Sequence, residues 1–259
     1  MLSDVGTIID LSDDEWDFVA DLFDPDGRRG TPAQHPRRRM VEAMLYLVRT
    51  GCQWRYLPER FPAWEAVWSQ WRRWRANGVW AAAMGRLART IRADKRRYPE
   101  PSMVMLDAQT VRGGRAGPTF HAAGGRGGRT FGAKRSILVE ILGLPLAVRV
   151  DPARPHDVVA GRELLADRLP ELPRVRAVVA DRAYRGLARL AARRQLALDI
   201  KVPPPGTSGF VPLRPLYRVE HAFAQLGRWR RLSRCYEGTE ASARAGLDVA
   251  SVAYLLGRL

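Results

Sequence analysis

Two aspartates each close an apolar run of the same kind. Asp107 ends the run SMVMLD, and Asp181 ends the run RAVVAD. Functional side chains of open α/β sheets gather where strands end, so neighbouring strands of this kind would bring the two carboxylates together. Such a pair repels unless cations lie between its members, and Mg²⁺ prefers oxygen ligands and leaves room for phosphate. Two ions about 3.5–4 Å apart can activate an attacking oxygen and stabilise a leaving one, so the pattern predicts metal-assisted chemistry on phosphate.

A third acid would complete such a site, and Glu220 is the best candidate. It lies early in the run YRVEHAFAQLGRWRRL, whose apolar spacing predicts a helix and whose later turns carry arginines. Spacing alone leaves other acids open, because the chain has 27 Asp and Glu, and a lone acid is most often a cap or a salt-bridge partner. The acids that stay open are Glu140, Asp151, Asp157 and Glu237.

The elements that must position these acids alternate between strands and helices. Strands are predicted at 103–106, 137–142, 144–150, 175–180 and 198–202. Helices are predicted at 158–169, 184–196 and 216–259, the last broken near Gly238. The second and third strands form a hairpin around Gly143, and the Gly- and Arg-rich segment 113–133 predicts a flexible excursion. This order of elements predicts an α/β layer domain.

The first part of the chain predicts short helices with tight turns. Ser12 and Glu15 form a capping-box pattern, and further helices are expected between Pro36 and Gly51 and over residues 62–78. Residues 92–101 predict a linker. Short helices that end in a basic helix are typical of a helix-turn-helix DNA reader, and equally of a small helical bundle with an Arg-rich outer face. The basic residues of that helix are Arg72, Arg73 and Arg75.

Charge points to the class of partner. Hydrophobic residues make up 46% of the 259 residues, which is enough for a core and argues against wholesale disorder. The 43 Lys and Arg exceed the acids to give a net charge of +16. This excess favours a polyanionic partner, although a solvated Arg-rich surface would give the same balance.

Cysteine usage and hydropathy bear on the compartment. Cys52 and Cys235 are far apart and predict neither a disulfide framework nor a zinc site, which fits a reducing cytosol. The N-terminus lacks a basic region followed by an apolar stretch, and no apolar run reaches about 18 residues. We therefore expect a cytoplasmic protein without a signal peptide or a membrane span.

Longer stretches of the sequence resemble one known family, the bacterial insertion-sequence transposases of the DDE class. LSDDEWDFVADLF and MLYLVRTGCQWRYLPERFPAWEAVWSQWRRW resemble the leader region of that family. LDAQTVRGG and VVADRAYRG resemble its first and second aspartate motifs, and YRVEHAFAQLGRWRRLSRCYE resembles its glutamate motif with a basic tail. GAKRSILVEILGLPLAVRVDPARPHD resembles the hairpin that follows the first aspartate. These ordered matches cover nearly the whole chain and are far more specific than three isolated acids.

The resemblance implies Asp107, Asp181 and Glu220 as a catalytic triad that binds two Mg²⁺ ions, for which Mn²⁺ can substitute. It implies a helical, helix-turn-helix-like DNA-binding domain over residues 1–95 and a ribonuclease H-like catalytic domain over 96–259, with a mixed sheet flanked by helices. Candidate DNA-binding residues are Arg37, Arg38, Arg39, Arg72, Arg73, Arg75, Lys134, Arg135, Arg218, Arg228, Arg230 and Arg231.

The expected function is transposition. The chain would bind the terminal inverted repeats of an insertion sequence, cleave DNA by metal-assisted hydrolysis, and transfer the 3′-hydroxyl ends to target DNA. The partner is double-stranded DNA, held by a homodimer or larger synaptic complex because two ends must meet. A nuclease without strand transfer and an inactive or domesticated copy that acts as a repressor stay open as alternatives. A covalent Ser or Tyr recombinase is less favoured, since the contexts of Tyr184, Tyr217 and Tyr236 predict half-buried aromatic side chains.

Overall fold

A mixed six-stranded sheet lies at the centre of the fold. The computed structural model describes residues 9–25, 34–114, 119–206 and 213–259. The strands are β1 Met103–Arg112, β2 Ala122–Gly124, β3 Thr130–Glu140, β4 Pro145–Pro152, β5 Ala177–Asp181 and β6 Ala197–Lys201. β1 pairs antiparallel with β3 and parallel with β5. β4 extends the antiparallel side, β6 extends the parallel side, and the short β2 pairs with the beginning of β3.

Helices precede the sheet and cover both of its faces. The α-helices are α1 Asp13–Asp17, α2 Ala20–Phe23, α3 Arg37–Thr50, α4 Trp64–Ala76, α5 Val79–Asp94, α6 Asp157–Arg168, α7 Ala188–Arg193, α8 Tyr217–Gly227 and α9 Glu240–Leu256. A 3-10 helix, Arg182–Leu187, joins β5 to α7. Within the described ranges, none of the helices has the length and apolar character needed to cross a bilayer.

The alternation of side chains along the strands divides the apolar core into two layers. Met105 and Val179 belong to a layer formed with α3, α4, α5, α8 and α9, which we call the α8 face. Leu106 and Val178 belong to a second layer formed with α6 and the 3-10 helix after β5, which we call the α6 face. Any side chain of β1 or β5 can therefore be assigned to a face by its position in the strand.

The N-terminal helices share their core with the sheet. Met44 of α3, Trp71 of α4 and Leu87 of α5 are buried in the same apolar cluster as residues of α9 and of the α8 face. A buried ion pair between Arg92 of α5 and Glu140 of β3 adds to this contact. The proposed division between residues 95 and 96 thus stays a prediction, and the described parts on its two sides pack as one core.

The predicted mixed α/β class with a helical N-terminal region is confirmed, as are several local predictions. The Glu15 amide donates to the Ser12 hydroxyl at 3.2 Å, and the Ser12 amide donates to the Glu15 carboxylate at 2.7 Å, which is the expected capping box. Gly51 ends α3 with a φ of 71°, and Gly143 turns the β3–β4 hairpin with a φ of 82°. Both angles lie in the left-handed region that glycine adopts without steric cost.

The Gly- and Arg-rich segment 113–133 is more regular than the sequence predicted. β2 and the beginning of β3 lie within it, while residues 115–118 of this prediction fall outside the described ranges. A Cβ atom on Gly124 would lie 1.8 Å from the Ala153 carbonyl oxygen, and one on Gly132 would lie 2.0 Å from that of Val111. Glycine here permits close approach of backbones within the sheet. The prediction of a flexible segment, which was based on glycine content, was therefore wrong for the described part of 113–133.

Helix boundaries were the weakest predictions. The sequence did not predict α5, and the predicted linker 92–101 begins inside that helix. The expected first helix is broken at Val19, whose φ of −130° separates α1 from α2. The expected helix 184–196 is divided between the 3-10 helix and the short α7. Such breaks follow from packing against the rest of the molecule, which local propensity does not report.

Candidate active site

Asp107 lies inside a strand and not at its end. β1 continues to Arg112, but it pairs with β5 only from Met103 to Met105, so Asp107 lies where β1 has lost its parallel neighbour. The register of the last pair, continued along both strands, brings Asp107 level with Asp181. The alternation of side chains places both aspartates on the α8 face. The sheet therefore brings the first two predicted acids together on one side.

Asp181 ends β5 and also caps the turn that follows. Its carboxylate accepts a hydrogen bond from the Ala183 amide at 2.9 Å, and the 3-10 helix begins at the next residue. This hydrogen bond fixes the direction of the carboxylate at the open end of the sheet. Asp181 is thus both a turn residue and a candidate metal ligand. In the sequence alone, these two roles are alternatives.

Glu220 lies in the first turn of α8. The buried residues Val219, Phe223 and Leu226 pack this helix onto the α8 face of the sheet. Glu220 itself is half-buried, and burial raises the pKa of its carboxyl group. The helix therefore brings a third carboxylate to the face on which the two aspartates lie.

The electrostatics of Asp107 show that the acids lie near one another. Its pKa is raised from 3.8 to about 7, mainly by burial and also by the negative charges of Asp181, Asp157 and Glu220, against a hydrogen bond from the Ala108 backbone that lowers it. In the described part of the chain, no group of three Asp, Glu, His or Cys side chains is close enough to enclose a metal ion. The carboxylates therefore lie close enough to affect one another's charge, but they are farther apart than the ligands of one bound metal ion.

The chemistry of these residues nevertheless fits a hard divalent cation. All three predicted donors are carboxylate oxygens, which is the ligand type that Mg²⁺ and Mn²⁺ prefer. Burial is the largest cause of the elevated pKa of Asp107, and the charges of Asp181, Asp157 and Glu220 add to it. A divalent cation opposes both effects, because it favours the ionised form of each acid.

Two residues that the sequence did not assign to the site lie beside it. Tyr184, predicted to be a half-buried aromatic, is 1% exposed, and its hydroxyl has no hydrogen-bond partner among the described residues. Burial raises the pKa of Tyr184, as do the charges of Asp107, Asp157 and Asp181. Asp157, which the sequence left open as an alternative third acid, is the first residue of α6. Its negative charge helps to raise the pKa of Asp107. Nothing in the spacing of the sequence around Tyr184 and Asp157 indicates that they lie near the site.

The other acids left open by the sequence are engaged elsewhere. Glu140 is fully buried and paired with Arg92. The carboxylate of Asp151 accepts from Arg149 at 2.8 Å, and that of Glu237 accepts from Arg231 at 2.7 Å. These pairs stabilise the fold and leave Glu220 as the acid on the same face as the two aspartates.

Several of the predicted DNA-binding residues have structural contacts. Arg38 pairs with Asp13 and Glu42, and Arg39 donates to Glu42 at 2.6 Å. Arg37 is buried and donates to the Gln70 side chain at 3.1 Å. These three arginines fasten α3 to its surroundings, and their contact with DNA stays a prediction.

Three further basic residues also lie inside the protein. Arg135 is buried, which lowers its pKa to about 10, and it donates to the carbonyl oxygens of Leu232 at 2.6 Å and Arg234 at 3.2 Å. Lys134 is buried and pairs with Asp157. Arg231 donates to Cys52 at 3.0 Å and so joins the segment after α8 to the end of α3. These contacts position elements of the fold, and contact of the three residues with DNA stays a prediction.

The remaining candidates are accessible. Arg72 and Arg73 are exposed on α4, and the Arg72 guanidinium lies 4.8 Å from the centre of the Trp68 ring. Arg75 and Arg218 are half-buried, and Arg218 lies two residues before Glu220. The exposed basic residues after the glutamate are Arg228 and Arg230.

Comparison with known proteins identifies family matches over most of the chain. Residues 11–84 match the family described as a putative transposase of the IS4/5 family, and residues 98–210 match the transposase DDE domain. Asp107 and Asp181 lie within the second match, whereas Glu220 lies beyond its end. The chain is also similar to the uncharacterized protein y4sN of Sinorhizobium fredii (strain NBRC 101917 / NGR234), with 34% identity over 123 residues that cover 46% of this chain and 87% of that protein.

Proposed function

Because the chain belongs to the DDE transposases of insertion sequences, we propose that it binds the terminal inverted repeats of its element, cleaves the DNA there and joins the freed 3′-hydroxyl ends to target DNA. The chain is an enzyme that acts on DNA. The observation that carries the finer proposal is the placement of Asp107 and Asp181 side by side on the face that α8 covers with Glu220. Because the proposed substrate is the DNA of a bacterial cell, the proposal includes a cytoplasmic location.

Asp107, Asp181 and Glu220 would hold two divalent cations, Mg²⁺ or Mn²⁺. When bound, such ions acidify a water and neutralise charge on the phosphate that is attacked. The chain's own contribution is to fix the direction of each carboxylate, through the strand at Asp107, the capping bond at Asp181 and the packed helix at Glu220. Fixed direction matters because catalysis of this kind depends mainly on positioning and charge.

The exposed arginines would bind the phosphate backbone. Arg218 precedes Glu220 on α8, and Arg228 and Arg230 follow that helix, so these cations belong to the segment that carries Glu220. Arg72 and Arg73 of α4 offer a second contact for the element ends. Contacts to phosphate position DNA without reading its sequence, so recognition of the repeats requires additional contacts to bases. Since two ends must meet, we expect a homodimer or larger complex.

The test of the triad is the substitution Asp107→Asn. We expect this variant to bind a duplex carrying an element end normally and to lose Mg²⁺-dependent cleavage of it, because one ligand of the cation site has lost its charge. Asp167→Asn is the matched control, since Asp167 is 65% exposed on α6 and its pairing is with Arg149. Cleavage by Asp107→Asn at the control rate would refute the assignment.

Strand transfer separates the proposal from its nuclease alternative. The wild-type chain, given pre-cut ends with free 3′-hydroxyls, is expected to join them to a supercoiled plasmid in Mg²⁺. Cleavage of uncut ends without any joining of pre-cut ends would identify a nuclease on the same fold. The N-terminal helices favour the transposase, since a reader is needed to find the ends.

A further inference from the structure

The start of α6 is fixed behind the acidic residues. A Cβ on Gly161 of α6 would lie 2.8 Å from Leu106 Cδ2 of β1 and 2.8 Å from a ring carbon of Tyr184. A Cβ on Gly186, in the turn after β5, would lie 2.9 Å from Val158 Cγ2. These close contacts hold the first turns of α6 against both segments that carry the aspartates. Asp157, the first residue of α6, is placed by them.

A buried cation lies on this same side of the sheet. Lys134 pairs across the strands with Thr110 of β1, and it alternates with Ala133 of the α8 face, so its side chain points to the α6 face. The Lys134 side chain is 5% exposed, and its ammonium group donates to the Asp157 carboxylate, which is 40% exposed. A buried ammonium requires such a partner. Although Asp157 is paired with Lys134, its negative charge still lies close enough to Asp107 to disfavour ionisation of that carboxyl group.

The Tyr184 hydroxyl is a second observation at this place, separate from the Lys134–Asp157 pair. A buried polar group without a hydrogen bond destabilises a fold, and native proteins contain few of them. Tyr184 is among the largest fully buried side chains, yet its hydroxyl has no partner in the described ranges and lies in the field of Asp107, Asp157 and Asp181. A buried hydroxyl in this position, without a partner among the described residues, is available to donate to a carboxylate of the site.

We propose that Lys134, Asp157 and Tyr184 form a polar layer behind the acids, which positions Asp107 and sets how tightly the site binds a divalent cation. This inference rests on the proposed function. The charge of Asp157 attracts the cation, and the charge of Lys134 opposes part of that attraction. Tyr184 supplies a hydrogen bond that holds a carboxylate in its binding direction. All three act through the acids and are positioning residues; partners of this kind change metal affinity by about 10–100-fold when removed.

The test measures cation binding without DNA or catalysis. Mn²⁺ binding by the full-length chain is followed by the EPR signal of the free ion, at neutral pH and fixed ionic strength. Asp157→Asn is expected to weaken binding about tenfold, while Asp167→Asn, the same change on the same helix, leaves it unaltered. Lys134→Met is expected to tighten binding several-fold, because the opposing charge is gone. A purely structural pair would give no such opposite effects.

Tyr184→Phe tests the hydrogen bond. Loss of a buried hydroxyl that has no partner should leave the melting temperature of the cation-free protein unchanged or raise it, whereas the added stabilisation by Mn²⁺ should shrink. A variant that melts lower without the cation and gains as much from Mn²⁺ as the wild type would overturn the role of Tyr184. Because this variant retains the ring, it also remains informative if Lys134→Met fails to fold.

Asp107→Asn, measured in parallel, separates the two proposals. If that variant loses Mn²⁺ binding while Asp157→Asn, Lys134→Met and Tyr184→Phe all bind within about twofold of the wild type, the polar layer is refuted and the triad stands. If the wild type and Asp107→Asn bind Mn²⁺ equally, the triad and the polar layer both fail.

Discussion

At the scale of single residues, the site concentrates negative charge that the cation-free fold does not neutralise. Asp107 has its pKa raised from 3.8 to about 7 by burial and by neighbouring carboxylates. The folded chain therefore binds more protons than the unfolded chain between these values, and its stability falls as pH rises through that window. A buried acid of this kind lowers the stability of the fold at neutral pH, which is the cost that functional groups often carry.

Asp107→Asn should remove part of this pH dependence. In EDTA, we expect the variant to melt at a higher temperature than the wild type near pH 8, with the difference shrinking towards pH 4, because Asn carries no charge at any pH. Thermal melts across that range measure the difference. Asp248, whose pKa burial also raises to about 7, adds a similar trend in both proteins, so the comparison of variant with wild type is the decisive one. An unchanged difference at all pH values would contradict the shift at Asp107.

At the scale of elements, the strands and helices place groups that their own sequences do not connect. β1 and β5 bring the aspartates level, α8 adds the glutamate, and α6 fixes the residues behind them. The close contact at Gly124 lets β2 approach the residue after β4, and the one at Gly132 lets β3 approach β1. α4 presents Arg72 and Arg73 away from its buried face, which contains Trp71 and Trp74.

The α4 surface makes a prediction about DNA affinity. Changing Arg72 and Arg73 together to Ala should weaken binding of the element end and reduce the slope of log affinity against log salt by about two, since each phosphate contact contributes about 0.9. The control changes Arg193 and Arg194, which are exposed at the end of α7, and removes the same charge. Equal slopes for the two double variants would show that α4 makes no special phosphate contact.

Gly124→Ala tests the close contact between β2 and the end of β4. The added methyl would lie 1.8 Å from the Ala153 carbonyl oxygen, so backbone must shift and the free energy of unfolding should fall by about 1–3 kcal/mol. Gly227→Ala is the control, because nothing lies within 4 Å of its Cβ position and alanine favours the helix. Urea unfolding would measure both, and equal stability of the two variants would contradict the strand contact.

At the scale of the whole molecule, the N-terminal helices and the sheet are stabilised together. α3, α4 and α5 share an apolar core with α9, and Arg231 of the segment after α8 donates to the carbonyl oxygen of Cys52, two residues beyond the end of α3. Glu140 accepts from Arg92 of α5 and from the Leu142 amide of its own hairpin at 2.6 Å. The N-terminal helices and the sheet are therefore joined by packed contacts and by hydrogen bonds.

Glu140→Ala should destabilise both parts at once. Removing one partner of a buried pair leaves Arg92 uncompensated and costs about 3–5 kcal/mol. Urea unfolding followed by tryptophan fluorescence, which reports mainly the N-terminal helices, should shift together with unfolding followed by circular dichroism. Separate transitions for the two signals would show that the helices and the sheet unfold independently, and a variant as stable as the wild type would contradict the pair.

The sequence by itself determined the family, the class of fold, the β3–β4 hairpin and the strands that lead to Asp107 and Asp181. Periodicity and motif carry this information because they depend on neighbours in the chain. Only the tertiary structure decided that Glu140, Arg135 and Arg37 are buried and have partners within the protein, that the glycines of 113–133 join strands, and that Tyr184 and Asp157 lie beside the acids. These facts depend on which strands and helices meet, and no local pattern encodes the desolvation and pairing that result.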